Sequence, residues 1–181
     1  MGHDGPLDPR LKTLPVGRPE RALQTHLARC AAESMPNRQC VALVKAAVGD
    51  FRSVREWRRG PNVLSRRLPP GTPIATFLDR EGVDSPFYDG AVGVGAPGNM
   101  TSHAALLIDY VEGRDGKPDA ILVFDQHALL DDFRRMIYPA DDRLFGTANA
   151  RNYFAILDAD AQPIGGPSNP FWNAVQRAGA L

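Results

Sequence analysis

The stretch HAALLIDYV (103–111), EGRDGKPD (112–119), AILVFDQ (120–126) decides the fold. Two apolar runs of strand length flank a segment rich in turn formers, which predicts an antiparallel β-hairpin. Opposed residues of an antiparallel pair keep a constant numerical sum, so a turn centred near Arg114 sets residue 103 against residue 125. His103 and Asp125 then stand opposite, or nearly opposite, each other on neighbouring strands. A slip of one residue turns every side chain to the other face and presents Gln126 instead. His127 lies two residues beyond Asp125 on the same strand face and is a second candidate partner for His103.

Outward from the hairpin, residues 73–78 and 152–158 (NYFAILD) read as further strands. A helix is predicted to open at Gln39–Cys40 and run through Val41, Leu43, Val44 and Ala47, with Gly49 suited to the left-handed position that ends a helix. A preceding helix, from Glu20 to about Glu33, starts at a first-turn Pro19 and is broken by Met35-Pro36-Asn37. Residues 53–59 add a short helical turn closed by Gly60-Pro61, and residues 79–99 form a glycine-rich loop. Ser168-Asn169-Pro170 caps a last short helix. Helices come first and strands after, the order of an α+β domain rather than of alternating βαβ units. The expected organisation is an extended arm over residues 1–18 and one domain over 19–181.

Length and charge bound the function. A chain of 181 residues is one domain with a sizeable core. Its 21 basic residues cancel its 21 acidic ones, which excludes a general nucleic-acid binder, since that needs surplus positive charge. No apolar run approaches the roughly 18 residues of a membrane span, and the first 20 residues have no apolar core of the kind a secretory signal carries. The zero hides a gradient: residues 1–70 carry a balance of +7 and residues 71–181 a balance of −7. Either the two halves pair internally, or a basic lobe faces an acidic one. The second reading sets the arginines of 52–67 as a basic wall beside Cys40.

The chemical inventory is short. There is no CxxC, no HExxH and no close histidine pair, so no metal is expected. No phosphate loop or GxSxG elbow appears, and no cofactor is expected. Cys30 shares a helical stripe with Leu23 and Leu27, where a buried small hydrophobe accounts for it. Cys40 differs, because it opens a helix. The free N–H groups of a helix start lower a thiol's pKa and can hold an oxyanion. His103 is the base such a nucleophile needs, and a carboxylate at 125 can orient it. A disulfide between Cys30 and Cys40, in a binding module without catalysis, is the opposing reading.

The strings RQCVALVK around Cys40, HAALLIDY from His103 and VFDQH around Asp125 resemble the papain-like amidases of the NlpC and CHAP superfamily. More narrowly they resemble the small type VI secretion amidase effectors. SVREWRRG (53–60), GTPIATF (71–77) and Asn152-Tyr153-Phe154 extend the resemblance over residues 38–157. It implies a papain-like fold, with an N-terminal helical lobe packed on an antiparallel sheet, and a peptidoglycan hydrolase. Cys40 would attack a stem-peptide carbonyl beside meso-diaminopimelate, His103 serve as base and then acid, and Asp125 orient it. Gln39, Trp57, Tyr88 and Gln126 would contact substrate. It also implies synthesis in the cytoplasm without a signal peptide, export by the type VI secretion machinery to the periplasm of a target cell, and a cognate periplasmic immunity protein. Many NlpC relatives carry His as the third residue, so Asp125, Gln126 and His127 all stay open for that role. The same site on another amide or acyl substrate is the alternative activity.

Overall fold

A computed structural model describes residues 40–50, 52–90, 101–126 and 134–164. The first element is helix α1, Cys40–Val48. Gly49 follows with φ 68°, the left-handed conformation that stops a helix and that glycine adopts without a steric penalty. A single 3₁₀ turn, Val54–Glu56, is capped by the Ser53 side chain, and it leads into strand β1, Arg58–Asn62. Strands β2 (Pro73–Thr76), β3 (Ala104–Glu112), β4 (Pro118–Asp125), β5 (Arg134–Pro139) and β6 (Tyr153–Leu157) follow.

All six strands pair antiparallel in one sheet, in the order β1-β6-β2-β3-β4-β5. α1 packs on one face through Leu43, Val44, Ala47 and Val48, against Trp57, Phe77, Leu106, Leu122, Phe124 and Ile156. The other face has its own cluster, built on Ile74, Leu107, Ile121, Val123, Tyr138 and Tyr153. The expected α+β class and the packing of the Cys40 helix on an antiparallel sheet are both present. The expected helix over 20–33, the arm over 1–18 and the capped helix at 168 lie outside the described residues. No described helix is long and apolar enough to cross a membrane.

The 103–126 hairpin forms, with its turn one residue later than predicted: Gly113 N donates to Lys117 O, and Gly116, at φ 74°, closes the turn. Moving the centre of a hairpin by one residue moves every partner by two, so Leu106 faces Phe124 rather than Leu122. Two irregularities, between Leu107 and Asp109 on β3 and near Asp119 on β4, each add one residue and cancel. A shift of two preserves the face of every side chain. His103 and Asp125 therefore become diagonal neighbours on one face instead of direct opposites, and Gln126 falls on the other.

Two strands differ from the sequence expectation. β1 runs through Gly60-Pro61, which reads as a strand breaker, and its pairing with β6 is irregular between Arg59 and Asn62. Proline is tolerated there because β1 is an edge strand. β5 is the other edge. Its sequence, RRMIYP, carries two arginines and no clear apolar alternation.

The charge gradient is used internally. Arg52 pairs with Asp50 at 2.7 Å and Asp158 at 3.5 Å, Arg59 pairs with Asp84 at 2.9 Å, and Arg67 pairs with Glu112. Arg58 lies over the Phe87 ring at 4.5 Å. Arg52, Arg59 and Arg67 thus pair with acidic residues of the second half of the chain, as the internal-pairing reading expects.

Candidate active site

Cys40 is the first residue of α1, half-buried, with a free thiol. His103 and the backbone N–H groups of Ala104 and Val41 are the neighbours that favour a negative charge on its sulfur. Burial alone would push the thiol's pKa up. The His103 hydrogen bond and charge, with the two backbone amides, outweigh that and hold it below the usual thiol range.

His103 immediately precedes β3, and Thr76 of β2 fixes its backbone from both sides. The His103 N–H donates to Thr76 Oγ1 at 2.9 Å, and His103 O accepts from the Thr76 N–H at 2.9 Å. The Thr76 hydroxyl in turn donates to Thr101 O at 2.8 Å. The ring is buried edge-on against Tyr138 and Tyr153, at centroid distances of 6.1 and 6.5 Å. Its Nε2 meets Asp125 Oδ2 at 3.0 Å, which leaves the other ring nitrogen for Cys40. Burial opposes a charge on His103, yet the partners Asp125 and Cys40 raise its pKa well above that of a free imidazole.

Asp125 ends β4 and is fully buried. Arg134 Nε donates to Oδ1 at 2.7 Å, and the Tyr138 hydroxyl donates to Oδ2 at 2.5 Å. Desolvation alone would raise this carboxyl's pKa. His103 and Arg134 reverse that and hold it at about 2.

Tyr88 is buried against Trp57 and Phe77, with ring centroids 5.1 and 6.1 Å away. Its hydroxyl reaches the Cys40 sulfur and lies beside Ser102. Burial first, then the charge on Cys40, push the phenol's pKa up, so Tyr88 stays a donor.

The sequence candidates thus separate. Cys40, His103, Asp125 and Tyr88 converge on one point. Trp57 is 1% exposed and belongs to the core beneath α1. Gln126 is 2% exposed, on the face opposite Asp125, and its Oε1 has no hydrogen-bond partner. Gln39 and His127 lie outside the described residues. Sequence reasoning missed Thr76, Arg134 and Tyr138, all set by pairing across strands. No group of three or more His, Cys, Asp or Glu among the described residues could hold a metal ion.

A thiol at a helix start, an imidazole heading one strand and a carboxylate on the next are the groups that nucleophilic cysteine chemistry requires, brought together here at one end of the sheet. Residues 22–156 match the family Domesticated amidase effector 2 (Dae2), and the chain belongs to it. The chain is also similar to a solved structure, Type 6 secretion amidase effector 2 (Tae2), at 23% sequence identity and a TM-score of 0.48, over 68% of this chain and 84% of that one. No curated protein matches.

Proposed function

We propose that this protein is a cysteine amidase that hydrolyses a peptide bond of bacterial peptidoglycan next to meso-diaminopimelate. The observation that carries the reading is the buried His103, held through Nε2 at 3.0 Å by Asp125 and acting on the thiol of Cys40 at the start of α1. The Cys40 thiolate attacks the amide carbon, and the first N–H groups of α1 receive the developing oxyanion. The His103 imidazolium gives its proton to the leaving amine, the C–N bond breaks and a thioester remains. His103 then takes a proton from water as the new C–O bond forms. Cys40 leaves as thiolate, and the resting pair is restored.

Membership of an amidase effector family supports the amide substrate and an antibacterial role. The reading extends to export by a type VI secretion machine into the periplasm of a target cell, and to an immunity protein that closes the approach to Cys40. The test compares substrates. Purified sacculi should release soluble fragments, while a fluorogenic peptide and a lipid ester stay intact. Turnover of the peptide or ester with none of the sacculi would transfer the site to another acyl substrate.

A further inference from the structure

The catalytic reading uses one oxygen contact of Asp125, from His103, yet the carboxylate takes three more. Arg134 Nε donates to Oδ1 at 2.7 Å, a second Arg134 nitrogen lies 3.4 Å from Oδ2, and the Tyr138 hydroxyl meets Oδ2 at 2.5 Å. Arg134 stands directly across from Asp125 in the β4–β5 register. Tyr138, four residues further along β5, falls on the same face and stacks on Tyr153 of β6 at 5.2 Å. The groups facing Asp125 are thus His103 before β3, Arg134 and Tyr138 from β5, and Tyr153 from β6 behind Tyr138, with Cys40 of α1 acting through His103.

We propose that Arg134, assisted by Tyr138, is a positioning residue of this reaction: it keeps the buried Asp125 carboxylate paired in both protonation states of His103. When the imidazolium gives its proton to the leaving amine, the positive charge beside Asp125 disappears. A fully buried carboxylate with no other cation would then be unpaired, a state that burial strongly disfavours. The Arg134 guanidinium is charged throughout, and its fork spans both carboxylate oxygens. Asp125 therefore keeps its charge and place, and His103 keeps its orientation toward Cys40 through the cycle. The inference rests on the reading of Cys40 and His103 as nucleophile and base.

Arg134→Gln tests it, since the amide retains donors and loses the charge. Two readouts are followed: the pH profile of Cys40 alkylation by iodoacetamide, and kcat and KM on muropeptides. The removed cation no longer repels the proton on His103, so the alkaline step of the profile should move up by roughly one pH unit. kcat should fall roughly tenfold, part of what general acid–base catalysis contributes, with KM little changed. An unmoved profile with a wild-type kcat overturns the proposal. Should Arg134→Gln not fold, the comparison moves to Asp125→Asn with and without Arg134→Gln. No further change in profile or kcat is expected there, because Arg134 acts through Asp125, and an added loss of similar size overturns the proposal. If the wild type leaves muropeptides intact while the alkylation profile still moves in Arg134→Gln, the amidase reading fails and this one stands.

Discussion

His103 Nε2 meets Asp125 Oδ2 at 3.0 Å although the two residues are not opposed in the β3–β4 ladder. The diagonal between them is within reach of a long side chain, and it aims the second imidazole nitrogen at Cys40. The charge state of the thiol then depends on the histidine, which is separately measurable.

Iodoacetamide alkylation of Cys40 reads that dependence. The thiol lies below its ordinary range because of His103, so the wild-type protein should react readily below pH 8, where an ordinary thiol with pKa about 8.5 is mostly protonated. In His103→Ala, burial is left without its main opponent and the thiol's pKa rises. Alkylation at pH 6.5 should drop by roughly tenfold or more, one unit of pKa being a factor of ten. Equal rates in the two proteins would show that His103 does not act on Cys40.

Asp125→Asn should lower kcat by roughly two to four orders of magnitude, as losing the orienting carboxylate of a triad does. It should also change the acid stability. The folded carboxyl is held at about 2, below its unfolded value of about 3.9, so its contribution is present above pH 4 and is lost as pH falls toward 2. The stability gap between wild type and variant, followed by denaturant unfolding, should therefore narrow over that window. A gap that stays constant from pH 6 to pH 2 would contradict the pairing of Asp125.

Tyr88→Phe keeps the ring against Trp57 and Phe77 and removes the hydroxyl that reaches Cys40. A hydrogen bond to a charged group is worth about 1.5–3 kcal/mol, so the Cys40 thiol should titrate about one to two pH units higher. Circular dichroism and Tm should stay near wild type. An unshifted alkylation profile would reduce Tyr88 to a packing residue.

Trp57→Ala should act on stability. The side chain is 1% exposed and among the largest in the core under α1, so the substitution should cost about 3–5 kcal/mol. KM on muropeptides, measured well below the variant's Tm, should be unchanged. A raised KM with little loss of stability would instead make Trp57 a wall of the substrate site.

The hairpin and the Cys40 helix were legible because each carries its own punctuation: turn formers at 112–119 and Gly49 after an apolar helical run. The displaced turn centre did not hide Asp125, since the period of two returns the same face after a shift of two. β1 and β5 were not legible. Gly60-Pro61 and RRMIYP carry breaker and charge signals; among the described residues β5 pairs only with β4, and β1 pairs with β6 and otherwise meets only the short 86–87 segment. Missing β5 also hid Arg134 and Tyr138, whose place beside Asp125 exists only once β5 pairs with β4. Thr76 was hidden likewise, because nothing local marks a hydroxyl that grips the His103 backbone from the next strand. The charge gradient was visible, but its use was not, because the sequence does not show which carboxylate each arginine meets.

The most direct test of the central claim is mass spectrometry of purified muropeptides after incubation with wild-type protein and with Cys40→Ala. The wild type should cleave an amide beside meso-diaminopimelate, while the variant, folded by circular dichroism, should leave the same muropeptides intact. Full cleavage by Cys40→Ala would show that Cys40 is not the nucleophile.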